Sequence, residues 1–501
     1  VRVLPQTASR RPLRAGGLRA AVLSGAATLG LVLAGYAIAS LPPATVDALP
    51  HWALIALLGT ASLATLWHVC RAGDLLSPLG IIATITLIYF VIRPLQLSLQ
   101  SGELLNESYD LFADPVDAIL HLRGQEISLF VHSRMVGSFD DAMTRAMLAL
   151  VLLYGAVILG YRMRLGQALA ARCSRLGAGM GRLDVRWLIG AWLVVGLLGE
   201  AVVFARIGGP AGALAGFSTQ GNFAGDFISL VLLNFYTAAL LLWVCFHPPE
   251  LPLHRLLLLA ATAQLAAFFA LLGSRTLVLV PLLLVILAWN ERVRPWSGRQ
   301  LAAAAIAGML FASAYLTLRE DVRNRPLLSA LANIPSNVVD VRSMLNASPV
   351  FDQLFAETNY VPAVAPYRHG GELAQGALGQ IPSIIYPGKP EATDITFRKL
   401  LWGERFLAGR PTGIAGALHR DFGFPAILFG GLLLGVAARA LTGLRARVGA
   451  APGRELRALL FVVGLLLLYQ CLIGSWSLVF GSALAIAIPL VLAVRIFARP
   501  V

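Results

Sequence analysis

Charge is what this chain has least of: Asp, Glu, Lys and Arg make up 13% of its 501 residues, about half the share in a soluble protein. Lysine is nearly missing, with Lys389 and Lys399 the only two. The four cysteines, Cys70, Cys173, Cys245 and Cys471, stand far apart, with no CxxC pair and no histidine at metal-ligand spacing. That excludes a disulfide framework and a zinc motif. There is no P-loop, no GxGxxG opening a helix, no HExxH, no GxSxG elbow and no DxD pair, so nucleotide and metallohydrolase motifs are absent. Acids inside apolar runs are scarce, Glu200 being the clearest, which argues against a proton-relay chain. No internal repeat is visible, which weakens an inverted-repeat transporter reading.

What the chain does have is apolar sequence: 57% hydrophobic residues and a mean hydropathy of +0.75. Runs near the ~20 residues needed to cross hydrocarbon read as membrane helices. Twelve are expected, near 18–41, 51–70, 78–97, 142–161, 186–205, 226–246, 255–273, 275–290, 300–318, 422–442, 457–475 and 477–496. The fold class is therefore all-α, a polytopic membrane protein with residues 1–501 forming one integral domain. The first run follows Arg2, Arg10, Arg11, Arg14 and Arg19; at its length it reads as a retained helix rather than a signal peptide.

Orientation follows from the short loops. Arg162, Arg164, Arg172, Arg175, Arg182 and Arg186 follow the fourth run; Arg292, Arg294 and Arg299 follow the eighth; Arg445, Arg447, Arg454 and Arg457 follow the tenth. With every run counted, these fall on one side together with both termini, and that side is expected to be cytoplasmic. The net charge of +14 is thus read as loop arginine, and no nucleic-acid partner is expected. The cysteines fall in spans or in loops on that side.

The opposite side receives the longest polar stretch, 319–421, between the ninth and tenth runs. Its start, Arg319-Glu320-Asp321-Val322-Arg323, sets Arg319 and Arg323 on one face if the helix continues. Either the adjacent acids satisfy these guanidiniums, or an anion bridges them. Arg275 lies in a short turn at the same level; it either snorkels to lipid phosphate or binds a phosphate of the substrate through its planar fork. In mid-loop, Pro382, Pro387 and Pro390 stiffen the chain around Tyr386 and Lys389, which suits sugar stacking and phosphate contact or a merely structural cover. The loop closes on His419-Arg420-Asp421-Phe422-Gly423. Histidine and aspartate at a water–membrane boundary read as a general base for a hydroxyl or as hydrogen-bonded anchors. No cofactor and no metal are expected.

Four stretches carry a resemblance: Leu75-Leu76-Ser77-Pro78 leading to Arg93-Pro94-Leu95; Gly273-Ser274-Arg275; Ile381-Pro382 through Lys389-Pro390; and Phe422-Gly423 followed by Gly430, Gly431 and Gly435. In these, and in its dozen spans with one large late loop, the chain resembles the O-antigen polymerases, the Wzy-type oligosaccharide repeat unit polymerases. The resemblance implies a GT-C-like, metal-independent glycosyltransferase of the bacterial inner membrane with a periplasmic active site. It would move a glycan from an undecaprenyl diphosphate carrier onto a new lipid-linked repeat unit, with a chain-length regulator and a flippase as partners. By the same resemblance Arg275, Arg319 and Arg323 would hold the diphosphate; Tyr386, Lys389 and Arg420 are further candidate contacts to the diphosphate or glycan. His419 or Asp421 would orient or deprotonate the acceptor hydroxyl. One preorganised cation on such a leaving group lowers the barrier by about 3–4 kcal/mol. The alternatives are an O-antigen ligase, a lipid-linked oligosaccharide flippase or exporter, and a scaffold without activity.

Overall fold

The computed structural model describes residues 50–72, 74–99, 139–175, 183–209, 227–272, 275–297, 350–382, 385–390, 412–447, 453–487 and 499–500, with single positions inside 300–318 and 490–494. The run at 18–41 and the arginines Arg319 and Arg323 lie outside the described residues, as does the side chain of Arg275.

Among the described residues the protein is helical, apart from a two-residue antiparallel pairing of β1 (Leu183–Asp184) with β2 (Arg499–Pro500). In chain order come α1 (His51–Arg71), α2 (Pro78–Leu99), α3 (Phe139–Arg162), α4 (Arg164–Arg175), α5 (Arg186–Arg206), α6 (Phe227–Phe246), α7 (Pro252–Leu271) and α8 (Arg275–Arg292). Then follow α9 (Val350–Tyr360), α10 (Gly371–Leu378), α11 (Gly413–Phe422), α12 (Phe424–Arg445), α13 (Arg454–Ile473) and α14 (Trp476–Ser482). Seven of these, α1, α2, α3, α5, α7, α12 and α13, are long and apolar enough to cross a membrane. Shorter apolar segments lie at Leu232–Phe246 within α6 and at Trp476–Ala487, where α14 runs on as a π turn.

Local signals set several of these boundaries. Ser77 caps α2 by accepting from Gly80 N (3.2 Å), and Pro78 follows at a position that needs no N–H donor. Gly423, at φ 72°, separates α11 from α12, and Pro425 sits in the first turn of the new helix. A left-handed φ there favours glycine.

The centre of the bundle is the pairing of α3 with α12. Glycine makes it possible: a Cβ on Gly160 would stand 2.1 Å from Leu432 O, and one on Gly435 would stand 2.1 Å from Val157 O. Gly431 and Gly435 are four apart and so line the same seam, the small-residue packing used where lipid supplies no hydrophobic drive. By contrast α5 and α7 expose Leu197, Leu198, Leu256, Leu257 and Leu259. Such apolar outer faces fit a hydrocarbon solvent. On α1, Trp52 and Trp67 are both exposed. They stand about 22 Å apart along the axis, and the Arg71 guanidinium lies 4.5 Å from the Trp67 ring. Tryptophan near both ends of a span matches an interfacial belt.

The two ends of the bundle differ in chemistry. At one, Arg445 bonds Glu291 (2.8 Å) and Asp74, while Arg292 bonds Glu455 (3.3 Å) and Cys245 O (2.7 Å). These ties join α6, α8, α12 and α13 at one end, where the described arginines Arg292, Arg445 and Arg454 gather. At the other end lie His51 beside Asp140 (3.4 Å) and three short helices from the stretch 319–421.

Candidate functional site

The described helices of the stretch 319–421, where the site was expected, form a buried polar centre. All eleven residues of α9 are buried, including Asp352, Gln353, Glu357, Thr358 and Asn359. The helix packs against α3 and α11. It is anchored by Arg93, whose Nε and Nη2 donate to the two carboxylate oxygens of Asp352 at 3.2 and 3.0 Å. Arg93 directly follows a π turn at Ile88–Ile92, the kind of single-turn insertion that often accompanies function.

Arg420 on α11 is the hub. Its guanidinium lies 3.5 Å from Glu357 Oε1 on one side and bonds Glu372 of α10 on the other. Glu372 also accepts from Arg368 (2.7 Å). The backbone reinforces the arrangement, since Arg368 N donates to Arg420 O and His369 N to Asp421 O, both at 2.9 Å. Gly416 makes the approach of α11 to α9 possible, because a Cβ there would stand 2.0 Å from Glu357 Oε2.

Three residues adjacent in sequence therefore do three different things. Asp421 accepts from the backbone N–H of Glu372 (2.9 Å) and of Leu373 (3.3 Å). It caps α10 from outside, where the residue at the cap position, Gly370, has no side chain to do so. A carboxylate there satisfies two otherwise unpaired donors and faces the positive helix end. Arg420 binds carboxylates. His419 points into an aromatic box, edge-on to Phe424 (5.1 Å) and Tyr367 (6.1 Å). Its Nδ1 has no hydrogen-bond partner among the described residues.

Burial pushes the His419 imidazolium down to about 4, helped by the charge of Arg145. The ring is therefore neutral at physiological pH and a weak base. Glu357 moves the other way. Thr412 stands beside it, but its hydroxyl donates to Gly413 O (3.2 Å), and neither Glu357 oxygen accepts a hydrogen bond of normal geometry. Burial raises its carboxyl to about 8, with Glu372 and Asp421 adding to the shift and Arg420 opposing it. Glu372 is also raised, mainly by burial.

These shifts have a sign in stability. Glu357 binds its proton more tightly when folded, so its contribution is largest at low pH and is lost as pH rises toward 8. His419 acts oppositely, but only below its unfolded value of 6.5. Between pH 6.5 and 8 His419 no longer opposes the Glu357 effect. Thermal unfolding in detergent should show a midpoint that falls across this window, with Glu357→Gln flattening the fall. A wild-type midpoint that holds steady would rule out a protonated Glu357.

The other expected positions are more dispersed. Tyr386 is partly exposed on the turns after α10, and Lys389 Nζ donates to Gly379 O (3.3 Å). Neither has a described contact with Arg420. Arg275 opens α8 at the end of the bundle opposite Arg292, which is the end that holds the cluster. Sequence reasoning missed Glu357, Glu372, Arg368 and Asp352. Asp352 and its partner Arg93 are 259 residues apart, a pairing that leaves no local pattern. Among the described residues no group of three or more His, Cys, Asp or Glu is placed to hold a metal ion.

Compared with known proteins, the chain matches no protein-family model, no curated protein and no solved structure.

Proposed function

We propose that this protein is a membrane glycosyltransferase that polymerises lipid-linked oligosaccharide repeat units. The observation that carries the reading is the Glu357–Arg420–Glu372 cluster, buried at the bundle end where α8 begins with Arg275. A helical bundle gains no packing advantage from such a cluster, and strongly perturbed groups of this kind gather at functional sites.

In this reading the basic end faces the cytoplasm of a bacterial inner membrane and the cluster faces the periplasm. Arg275, Arg319 and Arg323 hold the diphosphate of the polyprenyl carrier, and Tyr386 and Lys389 border the glycan. The acceptor hydroxyl oxygen bonds to the anomeric carbon of the donor glycan as the bond from that carbon to the diphosphate oxygen breaks. The diphosphate departs with the electron pair. Of the groups available for the hydroxyl proton, Asp421 is held by the amides of α10 and His419 is too weak a base. Glu357 in its anionic form, beside Arg420, is the better acceptor, because a base near the working pH transfers protons best.

Purified protein given only a lipid-linked repeat unit, with chelator and without nucleotide sugar, should lengthen the glycan on its carrier. Bound substrate without chain growth would refute the enzymatic reading. Product on a lipid A core acceptor, with no chain growth, would indicate a ligase. In the same assay Arg275→Ala should reduce chain growth by about 100-fold or more, the loss of one good contact to developing charge. Arg275→Lys should rescue poorly, because it keeps the charge and loses the fork. Full-length chains from Arg275→Ala would remove that residue from the diphosphate site.

A further inference from the structure

The bundle end opposite the cluster carries a surface that the proposed chemistry does not use. α3 ends at Arg162, and after a break at Met163 the chain re-enters a helix as α4. One side of α4 packs on the last turns of α12 through small residues. A Cβ on Gly166 would stand 2.6 Å from Arg439 Cβ and 2.8 Å from Val436 O, and one on Gly443 would stand 2.7 Å from Ala170 Cβ.

The adjoining flank is unpartnered and two-toned. Leu165 and Leu169, four apart and so on one face, are 54% and 39% exposed, as is Met163 at 42%. Next to them around the helix come Arg172, Arg175 and Arg164, all exposed. None of the three makes an ion pair among the described residues. No acid occurs anywhere from 162 to 183.

The placement decides what covers this flank. α4 begins where the apolar span α3 runs out, so it starts at headgroup depth. Its two leucines extend the apolar surface of the bundle, and its cations lie beside them. A helix with an apolar strip and a basic strip at that depth matches an anionic bilayer surface. A soluble acidic protein would satisfy the cations and leave the leucines against water. We infer that α4 is a binding surface for anionic phospholipid headgroups of the leaflet at the basic end.

The test uses the full-length protein and does not depend on the proposed catalysis. Delipidated protein in neutral detergent is titrated with phosphatidylglycerol or phosphatidylcholine, and bound lipids are counted by native mass spectrometry. Wild type should retain phosphatidylglycerol in preference. Each of Arg164→Gln, Arg172→Gln and Arg175→Gln should weaken that preference about fivefold. Arg186→Gln, at the same end but outside α4, should leave it unchanged. In nanodiscs, hydrogen exchange across residues 163–175 should slow when phosphatidylglycerol replaces phosphatidylcholine, and Leu165→Gln with Leu169→Gln should abolish that slowing. Equal retention of the two lipids, or an unchanged preference in the triple arginine variant, would overturn the inference. So would displacement of phosphatidylglycerol by millimolar inorganic phosphate, which would assign the strip to a soluble anion.

Discussion

Replacing Arg420 with methionine should destabilise the protein by about 3–5 kcal/mol, the usual cost of stranding one member of a buried ion pair. Arg420 and both of its partners are almost fully buried, so water cannot take over when the guanidinium is removed. Glu372 would keep Arg368, whereas Glu357 would lose its nearest cation. Thermal unfolding in detergent measures the effect, and a second substitution tests its origin. If stranded charge is the cause, Arg420→Met combined with Glu372→Gln should recover part of the loss, with a coupling of about 0.5–3 kcal/mol. A single variant that melts with the wild type would show that the cluster does not hold α11 against α9 and α10.

The second large effect is on turnover. Glu357→Gln keeps the shape of the side chain and removes its acid–base chemistry. In the chain-growth assay it should lower the rate by about 100- to 10,000-fold, the range for losing a positioned general base, while the protein stays folded. The wild-type rate should rise with pH through about 8 and level off above it, following the anionic fraction of Glu357, and the variant should lack that rise. His419→Asn should have the smaller effect, since that ring is a much weaker base. A Glu357→Gln enzyme that elongates chains at the normal rate would leave the cluster with a structural role only. Because that variant removes a charge the fold does not favour, loss of folded protein is not the expected outcome at pH 8.

Much of the scaffold was legible in the sequence. Seven of the twelve expected spans coincide with described helices long and apolar enough to cross a membrane, because a run of apolar residues of membrane length has few alternatives in lipid. Among the described residues, Arg292 and Arg445, expected on one side, do lie close together, with Arg445 bonded to Glu291 beside Arg292. Gly431 and Gly435, noticed only as part of a pattern, have a physical reason in the backbone approach of α3 to α12. The candidate site was less legible. His419-Arg420-Asp421 stood out as three polar residues at a helix mouth, yet nothing in their order separates a capping carboxylate from a carboxylate-binding guanidinium or a histidine boxed by aromatic rings.

The sequence by itself determined that this is a helical membrane protein, which short loops are rich in arginine, and which stretch interrupts the spans. Hydrophobicity and charge are summed over local windows, and partition between lipid and water depends on those sums. Only the tertiary structure decided that a helix of the interrupting stretch is buried within the bundle. That helix, Val350–Tyr360, carries polar residues all round, a pattern that reads locally as a solvated loop. It is buried because its partners, Arg93 from an early span and Arg420 from a late helix, arrive from far along the chain. Charge pairing of that kind depends on distance in space, which no local window records.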